Sequence, residues 1–129
     1  METGVNAQES PFKGKTGLKR VWNAFFYSIA GLKAAFKHED AFRQEVLLAA
    51  VLIPMAFLLT PNNLARAAMI ASVFLLLIVE LVNSAIEATV DRISLENHNL
   101  AKRAKDIGSA SVLMAIVNLV VVWVLAILA

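Results

Sequence analysis

The chain has 129 residues, of which 59% are hydrophobic and 17% are charged, and its formal net charge is +2. That hydrophobic share exceeds the roughly 45–50% of a soluble domain, so the composition favours a membrane protein, and the length is that of one domain, 1–129. The sequence contains no cysteine, which excludes a disulfide framework, a thiolate nucleophile and a cysteine-based metal site.

Residues 1–16 are predicted to be a loose tail, because they contain Pro11 and scattered glycines and show no helical periodicity. The run Gly14-Lys15-Thr16 resembles the end of a Walker A phosphate-binding loop. However, Glu9 occupies the position of that motif's first glycine, and no strand precedes it. A P-loop is therefore excluded.

Residues 17–38 are predicted to form an amphipathic helix, since apolar and aromatic residues recur at helical spacing and lysines occupy the other side. The apolar positions are Leu18, Val21, Trp22, Phe25, Ile29, Leu32 and Phe36. This pattern is typical of a helix that lies in the membrane interface. The alternative is a helix packed on a soluble core.

Three later stretches are long and apolar enough to be predicted as transmembrane helices. Their bounds are 41–60, 64–90 and 107–129. Pro54 interrupts the first and can kink it, and the turn Pro61-Asn62-Asn63 separates it from the second. Residues 91–105 are predicted to be a polar connection. The predicted fold is thus an all-α membrane protein with an N-terminal amphipathic surface helix and three transmembrane helices.

Basic residues are concentrated on one side of this topology. Of the twelve lysines and arginines, seven lie between Lys13 and Arg43 and four between Arg92 and Lys105. The positive-inside rule then puts the N-terminus and the 91–106 loop in the cytoplasm. The surface helix and the polar end of the second span are therefore expected at the same membrane face.

The second span carries a stripe of polar residues among apolar neighbours: Glu80, Asn83, Ser84, Glu87 and Asp91. At about 100° per residue these positions fall within an arc of roughly 100° on one helix face. Each carboxylate at mid-depth in a bilayer costs about 2.5–3.5 kcal/mol on insertion scales. Such a cost usually indicates a functional site.

Acidic and basic groups from several segments are expected to converge at that face: Glu39, Glu80, Asn83, Glu87, Asp91, Glu96, Lys105 and Asp106. Mg²⁺ takes one or two protein carboxylates and completes its shell with substrate phosphates and water, which would relieve the repulsion among these groups. Glu80, nearest the apolar region, suits a general base for a lipid hydroxyl, and Lys105 and Arg20 suit phosphate neutralisation. The set therefore predicts phosphoryl transfer at a membrane surface.

Two other interpretations of the stripe stay open. Buried carboxylates paired with lysines can be structural elements of an oligomeric helix bundle, and intramembrane carboxylates also line ion or proton pathways. For Asp91, Glu96 and Asp106, a solvated helix or loop face fits the sequence equally well.

The segment from Glu80 to Arg92, ELVNSAIEATVDR, resembles the signature of the small prokaryotic diacylglycerol kinases. The segments Glu39–Glu45 and Ala104–Ala110 resemble the same family, and the resemblance extends from about Lys19 to Ala129. It implies a homotrimer in the bacterial inner membrane with active sites between subunits. It also implies transfer of the γ-phosphoryl group of MgATP to the primary hydroxyl of diacylglycerol, which gives phosphatidic acid. No nucleic acid partner is expected.

The resemblance also implies roles for individual residues. Glu80 matches the general base and a substrate contact, Glu39 and Glu87 match the metal ligands, and Asn83 and Asp91 match further active-site positions. The residues matching ATP contacts are Arg20, Tyr27, Glu39, Glu87, Glu96, Asn97, His98, Lys105 and Asp106. Arg20 and Ser109 match lipid-side contacts. From the residues alone, Tyr27 is predicted only as an interfacial aromatic, and His98 is most simply a solvated loop histidine.

One branch of the family phosphorylates undecaprenol instead of diacylglycerol. The stripe from Glu80 to Asp91 is shared between the branches and does not distinguish them. The entry Phe42–Glu45 and the stretch containing Arg20 and Tyr27 look more like the diacylglycerol branch, so diacylglycerol is the expected acceptor.

Overall fold

The computed structural model describes residues 17–93 and 99–129. This part of the chain folds into four helices and contains no strand: α1 (Gly17–His38), α2 (Asp40–Leu59), α3 (Asn63–Ile93) and α4 (Asn99–Leu128). Helices α2, α3 and α4 are each long and apolar enough to cross a membrane. The predicted all-α membrane fold is thereby confirmed. The predicted tail, 1–16, lies outside the described residues, as do Glu96, Asn97 and His98.

The chain divides within α1 into two compact units, one ending at Ala34 and the other beginning at Ala35. In the first unit, α1 carries a cluster of exposed aromatic rings. The Trp22 and Phe26 rings meet edge to face with centroids 5.0 Å apart, and those of Phe25 and Phe26 do so at 5.7 Å. Exposed, mutually packed aromatic rings suit the predicted interfacial helix.

In the second unit, a tight turn joins α2 to α3 at the predicted position. Asn62 Oδ1 accepts hydrogen bonds from the backbone N–H groups of Leu64 (2.8 Å) and Ala65 (3.1 Å), which caps the start of α3. Arg66 reaches back and donates to the backbone carbonyls of Thr60 (2.8 Å) and Phe57 (3.1 Å) at the end of α2. These bonds satisfy backbone groups that a helix terminus leaves without an intrahelical partner.

The apolar core lies where α2, α3 and α4 pack together. Its buried members are Ala49, Ala56, Met69, Val73 and Trp123. The Trp123 indole N–H is 3.1 Å from both the Met69 carbonyl and Ser72 Oγ, so a polar contact joins α4 to α3 inside this core. The core therefore holds the helices together from the second turn of α3 to its middle, before the acidic stripe begins at Glu80.

The helices extend beyond the predicted spans. Helix α3 continues to Ile93, and α4 begins at Asn99 rather than at residue 107, so most of the predicted polar connection is helical. The first turns of α4 contain good helix formers, and Lys102 forms an ion pair with Asp106 one turn later (2.7 Å). Polar residues here change the surface of the helix without ending it. Helix α2 (Asp40–Leu59) keeps nearly its predicted bounds and continues through Pro54.

Candidate active site

The polar stripe on α3 begins with three buried side chains. Glu80 is 4% exposed, Asn83 6% and Ser84 9%. Glu87, one turn further, is half-buried, and Asp91 is exposed. Positions 80, 83, 84, 87 and 91 occur at helical spacing, so the stripe runs along one face from the interior of the bundle to its surface.

Ser84 connects this stripe to the start of α2. Its hydroxyl donates a hydrogen bond to Glu80 Oε2 (3.2 Å) and lies 3.5 Å from Glu39 Oε1. The predicted general base and one predicted metal ligand are thus brought to the same serine, although 41 positions separate Glu39 from Glu80 in the sequence.

The break between α1 and α2 explains where Glu39 lies. The Arg43 guanidinium donates to the backbone carbonyls of Phe36 and Lys37 at the end of α1 (2.8 Å each) and pairs with the Asp40 carboxylate. Glu39 is the N-cap residue of α2 with extended backbone, yet its side chain forms no capping bond. Its carboxylate is therefore available to α3.

Asn83 and Glu87 form the second polar contact of the stripe. Asn83 Nδ2 donates to Glu87 Oε2 (3.3 Å), whereas Asn83 Oδ1 is buried without a hydrogen-bond partner. The amide therefore orients one predicted metal ligand from a neighbouring turn of the same helix.

The donor set fits a hard divalent cation. Glu39 and Glu87 supply carboxylate oxygens, and neutral Ser84 and Asn83 lie beside them. Among residues 17–93 and 99–129, no group of three or more histidine, cysteine, aspartate or glutamate side chains is arranged to hold a metal ion. One or two carboxylates suffice for Mg²⁺ when substrate phosphates complete its shell.

The predicted phosphate-binding lysine lies at the exposed end of the stripe. Lys105 Nζ on α4 is 2.6 Å from Asp91 Oδ1 on α3, and both side chains are about half exposed. Water screens an exposed pair of this kind, so Lys105 can exchange partners at little cost. Asp106 instead pairs with Lys102 and lines a shallow groove of about 300 Å³ on α4 with Asn99 and Arg103.

The remaining predicted residues among the described ranges are exposed. Arg20 and Tyr27 are exposed residues of α1 in the first unit, where their spacing of seven places them on one face. Ser109 is exposed on α4. The structure therefore brings together Glu39, Glu80, Asn83 and Glu87, and it pairs Asp91 with Lys105.

Two residues next to the site have no predicted role. The Glu45 side chain on α2 contacts the Glu80 carboxyl group, and Glu45 Oε1 is buried without a hydrogen-bond partner. Gly108 on α4 lies against Asn83. In the sequence, a glutamate before an apolar run is typical of a helix entering a membrane, and a glycine beside serine and alanine is typical of helix packing. Neither pattern indicates which side chain the residue contacts.

Comparison with known proteins finds one family and several relatives that carry the same name. The family model described as "Prokaryotic diacylglycerol kinase" matches residues 26–127. A "Diacylglycerol kinase" of Pseudomonas aeruginosa is 62% identical over 114 residues, which cover 88% of this chain and 93% of that protein. Proteins of the same name from Haemophilus influenzae and Escherichia coli K12 are 50% and 48% identical over 108 residues, covering 84% of this chain and 92% and 88% of theirs.

Proposed function

The chain belongs to the prokaryotic diacylglycerol kinase family, and on that premise we propose that it transfers the γ-phosphoryl group of ATP to the primary hydroxyl of diacylglycerol. The product is phosphatidic acid, and the reaction takes place at the cytoplasmic face of the bacterial inner membrane. The observation that carries this proposal is the contact of Glu39 and Glu80 with Ser84, at the end of the apolar core and within a helix of membrane-spanning length.

Glu80 is the proposed general base. Its carboxylate takes the proton of the lipid hydroxyl as that oxygen attacks the γ-phosphorus, while the bond from phosphorus to the β–γ bridging oxygen breaks and ADP leaves. The burial of Glu80 supports this role because a buried carboxylate is shielded from water that would compete with the lipid for the phosphoryl group. The Ser84 hydroxyl donates to one oxygen of this carboxylate and thereby holds the group in place.

Glu39 and Glu87 are the proposed ligands of Mg²⁺, which enters with ATP. When bound, the ion would neutralise charge on the phosphate oxygens. Asn83 orients the Glu87 carboxylate, and Ser84 lies between Glu39 and Glu80, so the proposed metal ligands and the proposed base are held by neighbouring side chains.

Basic side chains are also proposed to neutralise the negative charge of the ATP phosphates. Lys105 is the proposed partner for the ATP phosphates, since an ammonium group has three N–H donors and Asp91 occupies only one. Arg20 is proposed to contact both nucleotide and lipid, and Ser109 the lipid. Further proposed nucleotide contacts are Tyr27, Glu96, Asn97, His98 and Asp106.

The proposed assembly is a homotrimer of single-domain chains, with active sites between subunits. The apolar surface of α4 supports an assembly within the bilayer, since residues such as Leu113 (60% exposed), Met114 (68%) and Leu125 (63%) require lipid or another helix as a neighbour. The distribution of basic residues supports a cytoplasmic N-terminus and 91–106 loop.

A transfer experiment with labelled nucleotide tests the proposal. The purified protein is mixed with Mg²⁺, dioleoylglycerol and ATP labelled at either the γ- or the α-phosphate. We expect label in extracted phosphatidic acid from γ-labelled ATP only. If folded protein transfers no label but conducts protons or cations in vesicles without ATP, the acidic stripe belongs to an ion pathway and the proposal is wrong.

A further inference from the structure

Gly108, the only glycine of α4, is buried against the Asn83 side chain of α3. A Cβ atom built on Gly108 would overlap Asn83 Oδ1 and lie 3.3 Å from Asn83 Cγ. Real Cβ atoms essentially never come within 3.0 Å of a non-bonded heavy atom. The amide oxygen of Asn83 therefore occupies the volume that any side chain at position 108 would need.

The space left beside Gly108 determines how the Asn83 amide is oriented. Nδ2 donates to Glu87 Oε2, whereas Oδ1 is buried with no hydrogen-bond partner and faces the glycine backbone. Cα–H groups are only weak partners for such an oxygen. The reverse orientation would place the Asn83 oxygen against the Glu87 carboxylate, so that two acceptors would face each other. The donor end thus meets Glu87 because α4 leaves room for the acceptor end.

We propose that Gly108 is a positioning residue for phosphoryl transfer: the space left by its missing side chain seats the Asn83 amide, which in turn orients the Glu87 carboxylate. The link to Mg²⁺ rests on the proposed function, in which Glu87 is a metal ligand. The contact between Gly108 and Asn83 is independent of that role.

The same geometry predicts how a larger residue would act. The atom that a methyl group added at position 108 would meet is the far end of the Asn83 side chain, which can rotate away, rather than backbone. The helices can therefore keep their packing while the amide loses its contact with Glu87. A Gly108→Ala variant is expected to fold normally and to lose function.

The test is a double-mutant cycle of Gly108→Ala, Asn83→Ala and the double variant, with Gly31→Ala as the control. A Cβ at Gly31 on α1 meets nothing within 4 Å, so this variant adds the same methyl group without a contact. Each full-length protein is assayed for phosphatidic acid formation, for Mn²⁺ binding by electron paramagnetic resonance in the presence of a non-hydrolysable ATP analogue, and for its thermal midpoint.

Substitution of a residue that orients a metal ligand typically costs 10- to 100-fold in metal affinity or activity, so we expect losses of roughly that size in both readouts for Gly108→Ala. The double variant should be no worse than Asn83→Ala alone, because the added methyl group then has no amide to displace. Gly31→Ala should match the wild type.

Three outcomes would overturn the proposal. The first is unchanged Mn²⁺ affinity and turnover in Gly108→Ala. The second is that Gly108→Ala reduces affinity and turnover as much in the Asn83→Ala background as in the wild type, and the third is that neither the single nor the double variant folds. If Gly108→Ala alone misfolds, a folded double variant with the activity of Asn83→Ala supports the steric link. A wild-type protein that forms no phosphatidic acid contradicts the proposed function instead, and the cycle in thermal midpoint still tests the contact.

Discussion

Burial of the polar side chains on α3 decreases from the middle of the helix to its end. Glu80 is 4% exposed, Glu87 is half-buried and the Asp91 side chain is 51% exposed. A buried carboxylate is the costly one in a bilayer, so functional need should be strongest at Glu80. Asp91, already paired with Lys105 near solvent, carries little of that cost.

The first prediction concerns Glu80. Glu80→Gln keeps the side-chain volume but removes the proton acceptor, so turnover should fall by about 10²- to 10⁴-fold while fold and oligomer are retained. Phosphatidic acid formation and size-exclusion chromatography of the same sample measure both properties. A folded variant with near-normal turnover would show that Glu80 is not the base. If the wild type shows no lipid kinase activity and Glu80→Gln is as stable as the wild type or more stable, a structural helix bundle is favoured instead.

A second prediction separates the Ser84 hydroxyl from hydroxyl groups in general. Ser84→Ala removes the donor to Glu80 Oε2, so we expect a fall in kcat that is smaller than that of Glu80→Gln. Thr89→Ala is the matched control, because Thr89 on the same helix is exposed and bonds only to its own backbone at Ala85 (2.8 Å). Equal kcat values for the two variants would show that the hydrogen bond from Ser84 to Glu80 does not contribute to catalysis.

Glu87 leads to a third prediction. Glu87→Gln removes one negative charge from the proposed Mg²⁺ site, so half-maximal activity should require a higher Mg²⁺ concentration, with a shift of roughly tenfold or more. Titration of activity against Mg²⁺ at constant ATP measures the shift. A titration curve that coincides with that of the wild type would contradict the ligand role.

At the scale of the helices, periodicity predicted what lies on one element and little of what lies between elements. The face shared by Glu80, Asn83 and Glu87 follows from helical spacing, and the turn at Asn62 follows from its residue types. The contacts of Ser84 with Glu39 and of Gly108 with Asn83 depend on the packing of α2 and α4 against α3. No local pattern in the sequence encodes those contacts.

The ends of the helices also differ from what polarity in the sequence predicts. Polarity predicts where the chain leaves the membrane, and it therefore predicts a connection at residues 99–105. They are helical because helix formation depends on backbone hydrogen bonds and residue propensity, which Leu100, Ala101 and Lys102 satisfy as well as apolar residues do. The first turns of α4 consequently carry Lys105 on a rigid element beside Asp91.

The turn between α2 and α3 gives a prediction for stability. Arg66→Ala removes the guanidinium bonds to the Thr60 and Phe57 carbonyls and the contact with the Phe57 ring, whose centroid is 5.3 Å from Arg66 Cζ. Hydrogen bonds to a charged group contribute about 1.5–3 kcal/mol, so the unfolding free energy should fall by roughly that amount.

Chemical unfolding in detergent measures the loss. Arg66→Lys is the matched variant and should lie between wild type and Arg66→Ala, because it keeps the charge but lacks the guanidinium fork. Both variants should keep the kcat of folded protein, since the turn is at the other end of α3 from the acidic stripe. An Arg66→Ala protein as stable as the wild type would contradict this role of the turn.

For the whole molecule, two surfaces require partners beyond a single chain. The exposed apolar faces of α2, α3 and α4 need lipid or neighbouring helices, and the exposed aromatic cluster of α1 needs an apolar interface. The carboxylates of Glu39 and Glu80, in contrast, contact Ser84 within one chain. The proposed trimer would thus complete a site whose acidic part a single chain already assembles.

The measurement that tests the central claim most directly is Mg²⁺-dependent ATP turnover by the purified protein, with diacylglycerol and undecaprenol offered separately and Glu80→Gln in parallel. We expect phosphatidic acid from diacylglycerol with the wild type and almost none with Glu80→Gln. Phosphorylation of undecaprenol alone would contradict the proposed acceptor but leave the chemistry in place. Turnover of neither lipid by a folded oligomer would contradict the assignment of the acidic stripe to phosphoryl transfer.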